Sequence, residues 1–442
     1  LRFSPSGAFE QSSLAVPLTG RWTRVAVVGT APEGTKIARV YLYTHRDPTP
    51  RVIVDQVSLV SGVAPPPAAP PPPPEPVPPQ YDRLKDLCLE TRLVTGGRAN
   101  ALIVTPASGR YDRQAEAIAA AIERITGVKL PVLRDDDSAA AVPITGNLIC
   151  LGNRSTNATI EELYNRFYTL LDLRYPGPGG YEVRTLHNPF GDGHNVVFVG
   201  GSDDAGVAEA ARILVEHLAA AGGREGELTV GYLADIKLGE GISVPHDINA
   251  LEIWEASKGY GSVGYFGWCS ISKRLAAYYM TGDEFHAREF LRLAFPDAQA
   301  LKEIAEIDGE RIENKEDPLA GFYHYNAHMA ILFWDLVEES PFFDDQTRLK
   351  VTNAFARQLN HRKNEGVYSL TQPAPAVGSR HGQYSAISLF CLGRYFNTYY
   401  PDPIWEQCVR GAWNHFASLG EYAWVSGEAD NLFGTTLGPR QC

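Results

Sequence analysis

The sequence predicts a multidomain fold: a partial β-sandwich, an α/β domain and an all-α, toroid-like array of helical hairpins. Three observations carry that reading. Residues 1–62 alternate apolar and polar positions between turn residues. A proline-dense run from Pro65 to Pro79 follows, and such a run neither donates to a sheet nor continues a helix, so it stays an extended polyproline II spacer. Beyond it, strands alternating with helices give way near Asn249 to aromatic-rich amphipathic helices. The limits read from these shifts are a head at 1–62, a linker at 63–80, an α/β accessory domain at 81–245 and a helical domain at 246–442.

Length and composition agree with folded domains. A chain of 442 residues exceeds what one hydrophobic core usually serves. Aromatic residues at 10% and charged residues at 21% confine expected disorder to the linker. A net charge of −12 argues against a nucleic-acid partner, which needs a basic surface, but leaves an acidic sugar open, because a cleft can be locally basic. No apolar run reaches the roughly 18–20 residues needed to span a bilayer. The chain begins at Leu1 with no signal-like segment, so a processed or partial chain is expected. Six cysteines, Cys88, Cys150, Cys269, Cys391, Cys408 and Cys442, show no metal spacing and read mainly as buried thiols, with a disulfide as the alternative.

In the head, Leu14–Val16, Trp22–Val28, Lys36–Tyr43 and Val52–Val60 read as strands, with turns at Thr19-Gly20 and Pro32-Glu33-Gly34. The phrases Leu18–Val28, Ala38-Arg39-Val40 and Val54–Leu59 resemble the C-terminal half of jelly-roll carbohydrate-binding modules. That resemblance implies a structural calcium at Asp55, set against a turn-bonding aspartate. Tyr41 and Tyr43 are sugar-stacking candidates, set against ordinary packing.

In the α/β segment, strand Ala101–Val104, helix Tyr111–Thr126 closed by Gly127, and strand Leu130–Leu133 form a βαβ unit. Strand Asn147–Leu151, helix Thr159–Leu171, strands Gly180–Leu186 and Asn195–Gly200, and helix Asp203–Ala221 follow. The run Val197–Val207, with Ala101–Val104, Ile125-Thr126-Gly127 and Leu151-Gly152, resembles the non-catalytic α/β domain that precedes the catalytic domain of α-glucuronidases and β-hexosaminidases. The resemblance implies a supporting role with no chemistry. A phosphate site at Gly200-Gly201 is disfavoured by the spacing and by Asp203 and Asp204.

Six helices are expected beyond Asn249: Val263–Thr281, Glu284–Ile304, Pro318–Glu339, Asp344–Arg362, Arg380–Tyr399 and Pro403–Leu419. Their connections recur with a period of roughly 50–60 residues, two helices per unit, the mark of a hairpin array or toroid. Asp317-Pro318 and Ser379 read as helix starts. Tyr323, His324, Tyr325, Asn326 and His328 follow the first, and Arg380, His381, Gln383 and Tyr384 follow the second. Tyr265, Phe266 and Trp268 precede them, and Tyr422, Trp424, Glu428, Asp430 and Asn431 come after. In a toroid the inner helices run parallel, so these clusters would line one cleft. Tyr325, Trp334, Tyr395 and Tyr399 read as core.

This pattern, with the Asn326/His328 and His381/Tyr384 pairs, resembles the (α/α)-toroid catalytic domains of heparinase-like and alginate-lyase-like polysaccharide lyases. The resemblance implies a secreted or cell-surface protein acting by β-elimination on an acidic, uronate-containing polysaccharide. By it, Asn326 and Arg380 neutralise the uronate carboxylate, His328 or His381 is the base, and Tyr384 is the acid or the combined acid and base. Gln383, Tyr265, Trp268 and Trp424 line the sugar site. No cofactor is required beyond the calcium at Asp55, although His324 and His328, four apart, also allow a metal pair. Two alternatives stand beside it. A glycoside hydrolase would use paired carboxylates among Glu316, Asp317, Glu428 and Asp430. A self-assembling extracellular scaffold or filament subunit would need none of these groups, and three hairpins are fewer than a closed toroid holds.

Overall fold

A computed structural model describes residues 2–4, 30–39, 77–257, 267, 269–309, 311–312, 314–321, 327–360 and 380–419. The chain divides into two compact units, Leu1–Pro74 and Glu75–Cys442. In the first, β1 (Arg2–Ser4) pairs antiparallel with β2 (Ile37–Arg39), with Phe3 opposite Ala38. The expected turn at Pro32-Glu33-Gly34 is present: the backbone and side chain of Thr35 both donate to the Pro32 carbonyl, at 3.1 and 2.7 Å. Asp55, Tyr41 and Tyr43 lie outside the described residues.

The second unit is mixed α/β. A small antiparallel sheet contains β3 (Thr91–Thr95), β4 (Arg98–Ala99) and β10 (Leu228–Val230). The main sheet contains β5 (Ala101–Thr105), β6 (Val132–Arg134), β7 (Asn147–Gly152), β8 (Tyr181–Leu186), β9 (Val196–Gly201) and β11 (Ala234–Lys237), in the order β11-β8-β9-β7-β5-β6. The pairs β5–β6, β5–β7 and β7–β9 are parallel, and β8 is antiparallel to both its neighbours. The central strands are continuously apolar because both faces are covered. Helix α1 (Asp112–Thr126) and helix α3 (Asp204–Ala220) pack on one face, where Ile118, Ile122, Val207 and Leu214 meet Ile103, Ile149, Val197 and Val199. Gly127 closes α1 in the left-handed conformation that its position led us to expect. Helix α2 (Ala158–Asn165) is shorter than its sequence pattern, since Phe167 turns back at φ 62° and sends Leu170 and Leu171 into the core.

The helical part follows: α4 (Ile248–Ser257), α5 (Ser270–Thr281), α6 (Glu284–Ala294), α7 (Ala298–Ile307), α8 (Ala327–Val337), α9 (Asp345–Ala356), α10 (Arg380–Tyr399) and α11 (Pro403–Leu419). The segment read as one helix from Glu284 is two. Pro296, which has no N–H to donate, falls between them, and Asp297 restarts the chain by capping Gln299 and Ala300. Asp317-Pro318 forms a turn and does not start a helix: Ala320 donates to the Asp317 carbonyl at 3.1 Å.

Helices α5, α8 and α10 run in one direction. Tyr278, near the end of α5, bonds Ser340 just beyond α8 at 2.5 Å, and Tyr395, late in α10, donates to Glu338 at 2.6 Å. At the opposite end, Gly267 lies so close to Met329 in the first turn of α8 that a Cβ there would come within 3.0 Å of the Met329 Cβ. Helix α11 returns against α10, with Phe396 stacked on Trp405 at 4.3 Å. The C-terminal end of α5 rests on β8 and β11, and α8 and α10 pack on the turn that follows α2. The Arg184 guanidinium stacks on Tyr279 at 3.8 Å, Tyr175 donates to the Met280 carbonyl at 3.2 Å, Phe167 meets Phe333 edge-on at 5.2 Å, and Arg394 donates to the Arg166 carbonyl at 2.7 Å. One apolar cluster runs from Val104, Cys150 and Phe198 of the sheet to Tyr279, Trp334 and Trp405 of the helices.

Sheet and helices are therefore expected to lose structure together. Phe333→Ala should cost about 3–5 kcal/mol in denaturant unfolding and lower hydrogen-exchange protection in β9 as well as in α8. Loss confined to α8 would contradict the shared core.

Candidate functional site

Since α5, α8 and α10 meet the α/β segment through their C-terminal halves, their N-terminal turns lie at the far end. Glu338 continues the helical bonding of α8, donating to the Trp334 carbonyl at 2.9 Å, and it is bound to Tyr395. His328 lies ten residues before Glu338, and Tyr384 eleven before Tyr395. At about 1.5 Å per residue, the two stand at the same height on neighbouring parallel helices. Both are buried.

His328 is fully enclosed, and among the described residues neither ring nitrogen has a hydrogen-bond partner. Burial alone pushes its pKa down to about 3, so the imidazole is neutral at any physiological pH. A base is most effective with a pKa near the working pH. His328 is thus poorly matched to the proton-abstracting role expected for it and better suited to holding a neighbour by a neutral hydrogen bond. For Arg380, His381 and Gln383 the structure describes the helix backbone only, and it places all three in the first turn of α10 with Tyr384. Asn326, His324, Tyr265, Trp268, Trp424, Glu428 and Asp430 lie outside the described residues.

The same end carries buried polar groups from α5. Asp308 accepts from the Ser270 backbone with both oxygens at 3.2 Å and from the Ser270 hydroxyl, and desolvation raises its pKa. Its carboxylate therefore answers the positive end of α5. Lys273 is buried one turn further on. Of the carboxylates considered for hydrolysis, Asp317 is held by both arms of Arg357 at 2.7 and 2.9 Å, and Glu316 is exposed.

In the α/β segment the N-termini of α2 and α3 are already occupied by side chains. Asp203 accepts from Gly206 at 2.8 Å and Gly179 at 2.9 Å, occupying the α3 N-terminus where a phosphate would sit. Gly201 is needed for close packing, since a Cβ there would come within 2.6 Å of the Gly206 backbone. Asp135 likewise takes the backbone N–H groups of Ala107 and Ala158, both at 2.7 Å.

The sequence reading missed a charged cluster at the opposite, sheet-facing end. Lys85 Nζ is buried 3.0 Å from both Glu338 and Glu339 and 3.7 Å from Asp335, over the Tyr399 ring at 3.9 Å. At these distances the attraction between the ammonium and the carboxylates is strong in a buried site. Burial raises the pKa of Glu338 and Glu339, and Lys85 opposes that rise. The signal for this cluster was three acids at i, i+3 and i+4 closing an otherwise apolar helix.

Among the described residues Cys88, Cys150, Cys269, Cys391 and Cys408 form no disulfide with one another, and no helix is long and apolar enough to cross a membrane. No protein family matches the chain, and no curated protein matches it.

The buried histidines give the protein a testable acid response. His328 and His187, the latter pushed down to about 4 by burial, stay neutral in the native state while their unfolded counterparts protonate below about 6.5. Their contribution is complete above pH 6.5 and is lost as pH falls toward 3, at up to about 1.4 kcal/mol per pH unit for each group. Urea unfolding between pH 4 and 6.5 should show a shallower pH slope for His328→Leu than for the parent chain. An identical slope would show that His328 is not held neutral.

Proposed function

We propose that the chain is an extracellular carbohydrate-active protein whose helical part cleaves an acidic, uronate-containing polysaccharide by β-elimination, with the helices forming part of an (α/α) toroid. The observation that carries this reading is the parallel course of α5, α8 and α10, which brings the first turns of α8 and α10 to one end of the molecule with His328 and Tyr384 level with each other. Helix N-termini carry partial positive charge, and Lys273 is buried in the first turns of α5. At α5 that partial charge is already met by Asp308, so the first turns of α8 and α10 are the ones offered to a uronate carboxylate.

In this reading Asn326 and Arg380 pair with the uronate carboxylate, lowering the barrier to loss of the C5 proton. His381 takes the proton, and Tyr384, three residues further along the same helix face, protonates the departing O4. The C5–H and C4–O4 bonds break, a C4–C5 double bond forms, and no water is consumed. His328, neutral and enclosed, orients Asn326 or the substrate. Gln383, Tyr265, Trp268 and Trp424 bind the sugar rings. The α/β segment, with its helix ends already capped, and the head act as supporting and carbohydrate-binding elements, with calcium at Asp55 in the head.

Incubation with a panel of uronic-acid polysaccharides should raise the ultraviolet absorbance of the unsaturated product. His381→Ala and Tyr384→Phe should each lower the rate by about 10²-fold or more without changing the circular dichroism. Reducing ends released without that absorbance, and abolished by Glu428→Gln or Asp430→Asn, would replace elimination by hydrolysis. Neither signal from any polysaccharide would leave a non-catalytic scaffold.

A further inference from the structure

One polar cluster in the helical part has no place in this reaction. His246 lies in the loop ahead of α4, Asp283 caps α6, and His286 stands in the first turn of α6. One ligand atom from each lies within 4.8 Å of those of the other two. We propose that His246, Asp283 and His286 bind a divalent transition-metal ion of the zinc type, fastening the loop before α4 to the α5–α6 hairpin.

The donor set is the first reason. Two imidazoles and one carboxylate suit a borderline-soft cation better than calcium or magnesium, which take oxygen ligands. The second is an unused donor atom. His286 is fully buried, and among the described residues its Nε2 has no hydrogen-bond partner; buried polar atoms are rarely left so. The third is that the other two side chains are already oriented. The His246 ring stacks on Phe285 at 4.0 Å, and its Nε2 is 2.7 Å from Asp283 Oδ2. Asp283 Oδ1 accepts from the Phe285 backbone at 2.9 Å, which fixes the carboxylate plane and leaves Oδ2 for the ion.

Bonds of about 2.0–2.1 Å place tetrahedral ligand atoms roughly 3.4 Å apart. The His246–Asp283 contact must open slightly and the longer separations must close. His246 is exposed and carried by a loop, so it can make both adjustments and leave a fourth position to water. Arg274 opposes the ion. Its Nη1 lies 3.1 Å from His286 Nδ1 and 2.7 Å from the His246 carbonyl. Coordination through Nε2 puts the ring proton on Nδ1, so the guanidinium gives up that acceptor and keeps the carbonyl. The positive charge weakens binding, and its removal should strengthen it.

The test is titration of the chelator-treated full chain with Co2+ and then Zn2+. We expect one equivalent of Co2+ to give tetrahedral d–d absorption that Zn2+ displaces, with a zinc-dependent rise in thermal midpoint. His246→Ala and His286→Ala should remove both. Asp283→Asn, which keeps a side-chain oxygen for the helix cap, should weaken binding about tenfold or more, and Arg274→Met should tighten it. Absence of the cobalt signal, or a signal unchanged in both histidine variants, would overturn the site. Neither readout depends on polysaccharide turnover, so the site and the proposed reaction fail separately.

Discussion

Three carboxylates buried together need a cation, and in this protein the cation comes from far away in sequence. Asp335, Glu338 and Glu339 close α8, where the negative end of the helix dipole already disfavours them. Lys85, from the segment that follows the proline spacer, enters between them, and Arg394 of α10 stands 3.8 Å from Asp335. Arg348 donates to the free carbonyls of Glu338 and Ser340, both at 2.8 Å. The same segment is fastened at Tyr81, whose backbone exchanges two hydrogen bonds with the Asn353 side chain and whose hydroxyl accepts from Trp405 at 2.6 Å. Without Lys85 the acids would have to take up protons or come apart, since uncompensated buried charge is strongly destabilising.

That clamp sets the polarity of the helical part. With the C-terminal ends of α8 and α10 held to one another through Lys85, their N-terminal turns lie at the other end, where the proposed reaction is placed. His328 has no hydrogen-bond partner among the described residues, and in the α/β segment Asp203 and Asp135 occupy the backbone N–H groups where an anion would sit. Moving the basic role from His328 to His381 follows from burial alone, because a neutral, desolvated imidazole makes a weak base.

Local patterns in the sequence were enough for strands β5 to β9 and for most of the helices, because amphipathic spacing and caps such as Asp203, Asp344 and Gly127 act within one turn. Strands β3, β10 and β11 were missed: they are short, and their pairing depends on partners far away in the chain. The break at Pro296 was legible in principle and was passed over in favour of continuous periodicity. Lys85 was not legible, since nothing in its neighbourhood distinguishes a buried lysine from a solvated one. Its burial is decided by acids some 250 residues away. Of the candidate site, the sequence placed His328 and Tyr384 near helix starts, as the structure does; the enclosure of His328 is a tertiary property.

The central claim is that the Lys85 clamp holds the helix ends to one another and to the sheet. Hydrogen exchange on Lys85→Met, compared with the parent chain, tests it most directly. Stranding the three acids should destabilise the unit by about 3–5 kcal/mol and raise exchange together in residues 81–88, the last turns of α8 and α10, and β8. Faster exchange confined to residues 81–88, with the helix ends and the sheet unchanged, would contradict it.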